Sequence, residues 1–154
     1  MSNWLVANSW FAGRDIGRRA DELIDVRVRD SERQGAPMEP FPAAVRAVRE
    51  YGLLRLVRSA ASRPALVMKP TVGYEGDAAE IAELARCLGQ RVFPVGYEES
   101  EYGLVIVDEL GRYFQLHHTG EYFMGMDAHD MFSRFINAVA GPDVERFYAS
   151  RGCP

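Results

Sequence analysis

Five consecutive residues, Gly103-Leu104-Val105-Ile106-Val107, carry no polar side chain. Successive side chains of a strand point to opposite faces, so an unbroken apolar run of this length predicts a strand covered on both sides. The run stops at Asp108-Glu109-Leu110-Gly111, and a second strand pattern follows over residues 112–118, ending in His117 and His118. Four turn residues with glycine last predict a short hairpin connection. Asp108 can accept from its own backbone two residues on, and Gly111 supplies a positive φ. Turn chemistry thus accounts for both residues without catalysis.

The neighbouring segments predict the rest of the sheet and its cover. Residues 91–96 read as a strand that Pro94 marks as an edge or a bulged one, and residues 121–125 as another. Shorter strand candidates lie at 53–57 and 65–69. Residues 16–30 carry Ile16, Ala20, Leu23, Ile24 and Val28 at helical spacing. A second helix begins near Pro42, whose missing N–H suits a first turn, with Gly52 as its stop. Asp77-Ala78-Ala79-Glu80 reads as a capping box that opens a third helix ending at Gly89. Phe132, Phe135, Ile136 and Val139 predict a last long helix over 128–139, and residues 142–150 a short one. The strands over 91–125 are expected to be adjacent in one antiparallel sheet, within a single domain of helices and strands in mixed order spanning residues 1–154.

The chain has 154 residues, 47% apolar and 26% charged, the composition of an ordinary globular protein. No apolar run approaches the roughly 18 residues that span a bilayer. The N-terminus lacks the basic and hydrophobic regions of a secretory signal. A cytoplasmic protein with no membrane partner is expected. The two cysteines, Cys87 and Cys153, can pair or stay apart; a reducing compartment and a buried, structural Cys87 thiol are the expectation. The net charge of −4 is unevenly spread. Residues 1–69 hold 12 Arg/Lys against 8 Asp/Glu, whereas residues 70–154 hold 6 against 14. Direct nucleic-acid binding is not expected of such a chain. An acidic surface facing a basic partner is the functional reading of the asymmetry, and two solvated faces of one domain the plainer one.

Catalytic and cofactor signatures are missing: no GxGxxG, GxxxxGK[ST], GxSxG or HExxH occurs. His117 and His118 are adjacent, and on a strand adjacent side chains point apart. They are therefore not expected to share a metal, and neither a metal nor a cofactor is expected. The most unusual surface feature is the acidic stretch Glu98-Glu99-Ser100-Glu101 between Tyr97 and Tyr102. Tyrosines give rigid contact area and carboxylates pair with Arg or Lys. Tyr97, Glu98, Glu99, Glu101 and Tyr102, with Glu75 and Asp77 from the loop before the third helix, form the candidate partner surface. A loop that is merely solvated competes with that reading.

The order of these motifs resembles the SUKH superfamily of immunity proteins, and most closely its third subgroup. A Trp and a Gly-Arg pair precede the first helix, here Trp10, Gly13 and Arg14. An apolar helix ends in a stretch similar to the family's fGGL, here Tyr51-Gly52-Leu53. A capped acidic helix leads into Leu88-Gly89-Gln90-Arg91-Val92-Phe93-Pro94-Val95-Gly96. The pattern closes on Ile106-Val107-Asp108-Glu109-Leu110-Gly111-Arg112-Tyr113, an aromatic strand and a last helix. The resemblance covers about residues 8–141. Leu53 stands where the pattern has a second glycine, and Phe11-Ala12 where it favours a proline turn.

The resemblance implies an α+β fold with a curved, mainly antiparallel sheet backed by helices. It implies no catalytic residue and no cofactor, so no enzyme is expected. Its members bind and neutralise cognate polymorphic toxins, among them nucleases and nucleic-acid deaminases. A regulatory or scaffold domain that binds a partner unrelated to toxins is the second role that the resemblance admits.

Overall fold

The computed structural model describes residues 2–61, 64–149 and 153. Helices α1 (Ser2–Ala7), α2 (Arg18–Arg33) and α3 (Pro42–Tyr51) precede the short strands β1 (Arg55–Val57) and β2 (Ala65–Val67). Helix α4 (Asp77–Leu88) is followed by β3 (Val92–Glu98), β4 (Gly103–Asp108), β5 (Tyr113–His117) and β6 (Gly120–Gly125). Helix α5 (Ala128–Ile136) and a 3-10 turn at Val144–Phe147 complete the chain; Ser150, the end of the expected last helix, lies outside the described residues. The six strands pair antiparallel in the order β1-β2-β3-β4-β5-β6. This is the α+β class expected, an open antiparallel sheet backed by helices.

The strand covered on both faces is β4, buried throughout. Leu104, Ile106, Leu116 and Phe114 share one face by register, and Val105 and Val107 alternate onto the other with Gln115 and Tyr113. Phe114 and Phe123 meet Phe147 on the first face. Tyr51 of α3 and Trp4 of α1 meet Phe132 of α5 in an aromatic cluster. The hairpin at 108–111 forms as expected. Asp108 Oδ1 accepts from the Leu110 and Arg112 N–H groups, and Gly111 has φ 83°. Pro94 stands where β3 is bulged, as expected: the register against β4 shifts between Pro94 and Gly96, and β2 pairs with β3 farther along, at Tyr97 and Glu98.

Gly52 ends α3, but not through a left-handed conformation. Its φ is −52°, while Leu53 takes φ 70°, at the place of the pattern's second glycine. Gly52 is required for space. A Cβ there would lie 2.3 Å from the Val48 carbonyl oxygen and 2.9 Å from Ile16 Cδ1. Arg14 secures the same helix end, donating to the Glu50 and Gly52 carbonyls at 2.7 and 2.8 Å, so the Gly-Arg pair is part of the scaffold. Gly52→Ala is expected to cost about 1–3 kcal/mol by overpacking. An unchanged urea midpoint would show that this helix end can move aside.

Both outer strands have hydrogen bonds on their free side. Trp4 Nε1 donates to the Val57 carbonyl at 2.8 Å, and the Val57 N–H donates to Asn8 Oδ1 at 2.9 Å. At the other edge Phe123 N–H donates to the Pro142 carbonyl at 2.9 Å, and Tyr122 bridges Asp143. Gly141 permits that approach, since a Cβ there would fall 1.7 Å from the Phe123 carbonyl oxygen.

Candidate partner-binding surface

The loop Glu99–Tyr102 joins β3 to β4, whose last paired residues are Glu98 and Gly103. Glu98 folds it: its carboxylate accepts from Ser100 N–H at 3.1 Å, Ser100 Oγ at 2.7 Å and Glu101 N–H at 3.1 Å. Glu99 pairs with Arg55 of β1 at 2.6 Å, and Glu101 with His117 of β5. Tyr102 takes φ 57°, a conformation that L residues seldom adopt and that here fixes the direction of its ring. The ring stacks on Tyr97 with centroids 5.6 Å apart and remains 62% exposed. Burial raises the Tyr97 phenol pKa above its ordinary value, and Glu99 and Tyr102 add to the rise. Tyr97 is thus the support and Tyr102 the presented ring.

Below the loop lies an open cleft of about 860 Å³ between α4 and the ends of β5 and β6. Glu80 and Glu83 of α4 face Glu101, Tyr102 and Glu121 across it, over a floor that includes Leu116. Tyr74 joins the rim, 44% exposed, and its hydroxyl donates to the Glu80 carboxylate. Burial and then this bond hold the Tyr74 phenol well above its ordinary pKa, so it stays a neutral donor. A second cleft of about 530 Å³ opens on the opposite face, beside α5, lined by Gln115, Met124, Arg134 and Phe135. Glu101, His117 and Thr119 line both clefts.

The expected surface is gathered only in part. Tyr97, Glu98, Glu99, Glu101 and Tyr102 share one loop and its strand ends. Glu75 is exposed, but it pairs with Arg33 of α2 at 2.9 Å and does not line the cleft. Asp77 must be removed from the surface: it is 0% exposed and bonded to Arg27 of α2 at 2.6 Å. Nor does it cap α4, whose N-cap is Gly76 in a left-handed conformation with no side-chain bond. Tyr74, Glu80, Glu83 and Glu121 were missed. Glu80 and Glu83 are three residues apart beside the apolar Ile81 and Leu84, so helical spacing alone could have placed them together on the solvent side.

Two further expectations fail. Cys87 is not a free thiol but is bonded to Cys153. His117 and His118 do not point apart. β5 ends at His117, His118 belongs to the two-residue turn before Gly120, and their ring centroids are 4.0 Å apart. The alternation rule failed because the strand stops between them.

The loop thus presents carboxylates and the Tyr102 ring to solvent beside an open cleft. It sits on an antiparallel α+β scaffold whose conspicuous sequence motifs, the Gly-Arg pair and the Asp108 turn, are structural. The model of the SUKH-3 immunity protein family matches residues 1–138, and the chain belongs to that family. Neither the curated proteins nor the solved structures include a match. No helix among the described residues is long and apolar enough to cross a membrane.

Proposed function

We propose that the protein is the immunity partner of a cognate toxin and neutralises it by direct binding through the face around Tyr102. Family membership supports the immunity role. The observation that carries the choice of surface is the Tyr102 ring, exposed and propped on Tyr97 at the lip of a cleft bearing Glu80, Glu83, Glu101 and Glu121. Glu98 and Glu99, in the same loop and strand end, extend the acidic face around it. A toxin that works on nucleic acid carries a basic cleft, and this face complements one. Nucleases and nucleic-acid deaminases are therefore the toxin classes it fits best.

The intramolecular partners of these carboxylates do not oppose the role. Exposed ion pairs are weak, so Arg55 can be exchanged for a partner's cation at small cost. Glu98 is different, because its bonds shape the loop.

Tyr102→Ala is expected to weaken toxin binding by about 2 kcal/mol, chiefly through faster release, with an unchanged fold. Glu83→Gln combined with Glu121→Gln should instead slow association and flatten its dependence on salt. Binding kinetics against the cognate toxin, sought in the neighbouring gene product, with thermal unfolding measured in parallel, check both. Normal kinetics for every variant would remove this face from the interface. No rescue of growth and no co-purification with the neighbouring gene product would favour a scaffold role instead.

A further inference from the structure

We propose that Glu101, His117 and His118 form an open binding site for a divalent transition metal of the zinc class. The site stands independently of the toxin-binding reading. One carboxylate oxygen and one nitrogen of each imidazole already lie within 4.8 Å of one another. A tetrahedral Zn²⁺ with bonds of about 2.0–2.2 Å needs ligand atoms about 3.4 Å apart, a difference that side-chain rotation can close. Rotation is available, since Glu101 and His118 are exposed residues on turns. Imidazole with carboxylate selects Zn²⁺, Co²⁺, Ni²⁺ or Cu²⁺ over the hard cations Mg²⁺ and Ca²⁺.

The turn that defeats strand alternation is what builds the site. It brings both rings to one side, while the β3–β4 loop delivers Glu101 to His117 Nε2. His117 is also held from behind: Thr119 Oγ1 lies 2.8 Å from Nδ1 and 2.9 Å from the Tyr122 hydroxyl. A metal at Nε2 would put the ring's remaining proton on Nδ1, within reach of Thr119 Oγ1 and in place of the bond that Nδ1 here accepts from the Thr119 N–H at 3.2 Å. Donation from Nδ1 to Thr119 Oγ1 is the outer-shell bond that orients metal-ligating histidines. Glu121 and Glu80, lining the same cleft, add negative potential that favours a cation. Three protein ligands leave the remaining coordination positions open to solvent at the rim shared by the two clefts.

The test uses the full-length protein, stripped of metal and titrated with Zn²⁺ alone by calorimetry, with Co²⁺ absorption as the spectroscopic readout. Expected is one saturable site per chain and visible Co²⁺ bands of four- or five-coordinate geometry. His118→Ala should abolish the bands. Thr119→Val, which spares every ligand, should weaken Zn²⁺ by about 10- to 100-fold. His129→Ala, changing the remaining histidine, should have no effect. His118 is exposed, so its variant is expected to fold, and circular dichroism checks this. Absence of saturable Zn²⁺ binding, binding unchanged in His118→Ala, or binding lost in His129→Ala would each overturn the site.

Discussion

Asp77→Ala is expected to lower the unfolding free energy by about 3–5 kcal/mol, the largest effect of any single substitution considered. Arg27 and Asp77 are 1% and 0% exposed, and the bond between them ties α2 to the start of α4. Truncating Asp77 leaves the guanidinium buried with Asp30, at 3.3 Å, as its one partner among the described residues. It also strands the Tyr74 N–H, which donates to the same carboxylate at 3.1 Å, and takes one of two acceptors from Gln34 Nε2, whose bond to Asp30 at 2.7 Å remains. Arg27 Nε already lacks an acceptor among the described residues, so there is little local slack. Gly73 is part of the same fitting, because a Cβ there would fall 2.1 Å from Asp77 Oδ2. Asp77→Asn keeps the shape and some of the bonds and should cost less. Urea unfolding ranks the variants. A loss below about 1 kcal/mol for Asp77→Ala would show that water or a rearranged Arg27 replaces the carboxylate.

Cys153→Ser is expected to cost about 2–4 kcal/mol in oxidised protein. The bridge joins residues 66 apart and ties Cys153 to α4, where Ala149 N–H also donates to the Cys87 carbonyl at 2.8 Å. Chain entropy sets the scale, since opening the loop frees the unfolded ensemble more than the folded one. Cys153 is the better position to change, because Cys87 is buried and its loss would add a packing defect. Reductant should destabilise the parent protein by a similar amount and leave the variant unaffected. Equal melting temperatures for parent and variant, with and without reductant, would mean that the segment frays at no global cost.

The parts of the fold legible in the sequence are those set by near neighbours. The β4 run, the Asp108–Gly111 hairpin, Pro42 at the first turn of α3 and Gly89 at φ 68° after α4 all follow from steric or periodic rules acting within a few residues. Most of the failures share one cause, a partner distant in sequence; the exception is His117 and His118, where the strand stops between the two residues. Asp77 has the same sequence signature as a helix cap or as half of an ion pair. Only Arg27, 50 residues earlier, decides between them. Helix α1 was not foreseen because six residues are too few for a stable isolated helix; it persists because Leu5 is fully buried and Trp4 packs on Phe132 and Phe135. In the candidate site, the loop was visible as an acidic run between tyrosines. The cleft was not, because it exists only where α4 comes to lie beside β5 and β6.

The hydrogen bonds on the outer sides of β1 and β6 bear on how any partner can attach. An exposed strand edge is a template that another chain can extend by main-chain bonding, as in strand-addition complexes and early aggregates. Here the edge groups of Val57 are taken by Trp4 and Asn8, and the Phe123 N–H by Pro142. At these points an incoming strand would have to displace bonds that already exist rather than complete bonds that are missing. Recognition is thereby left to side chains on the faces and loops, where a few substitutions can change the partner without disturbing the sheet.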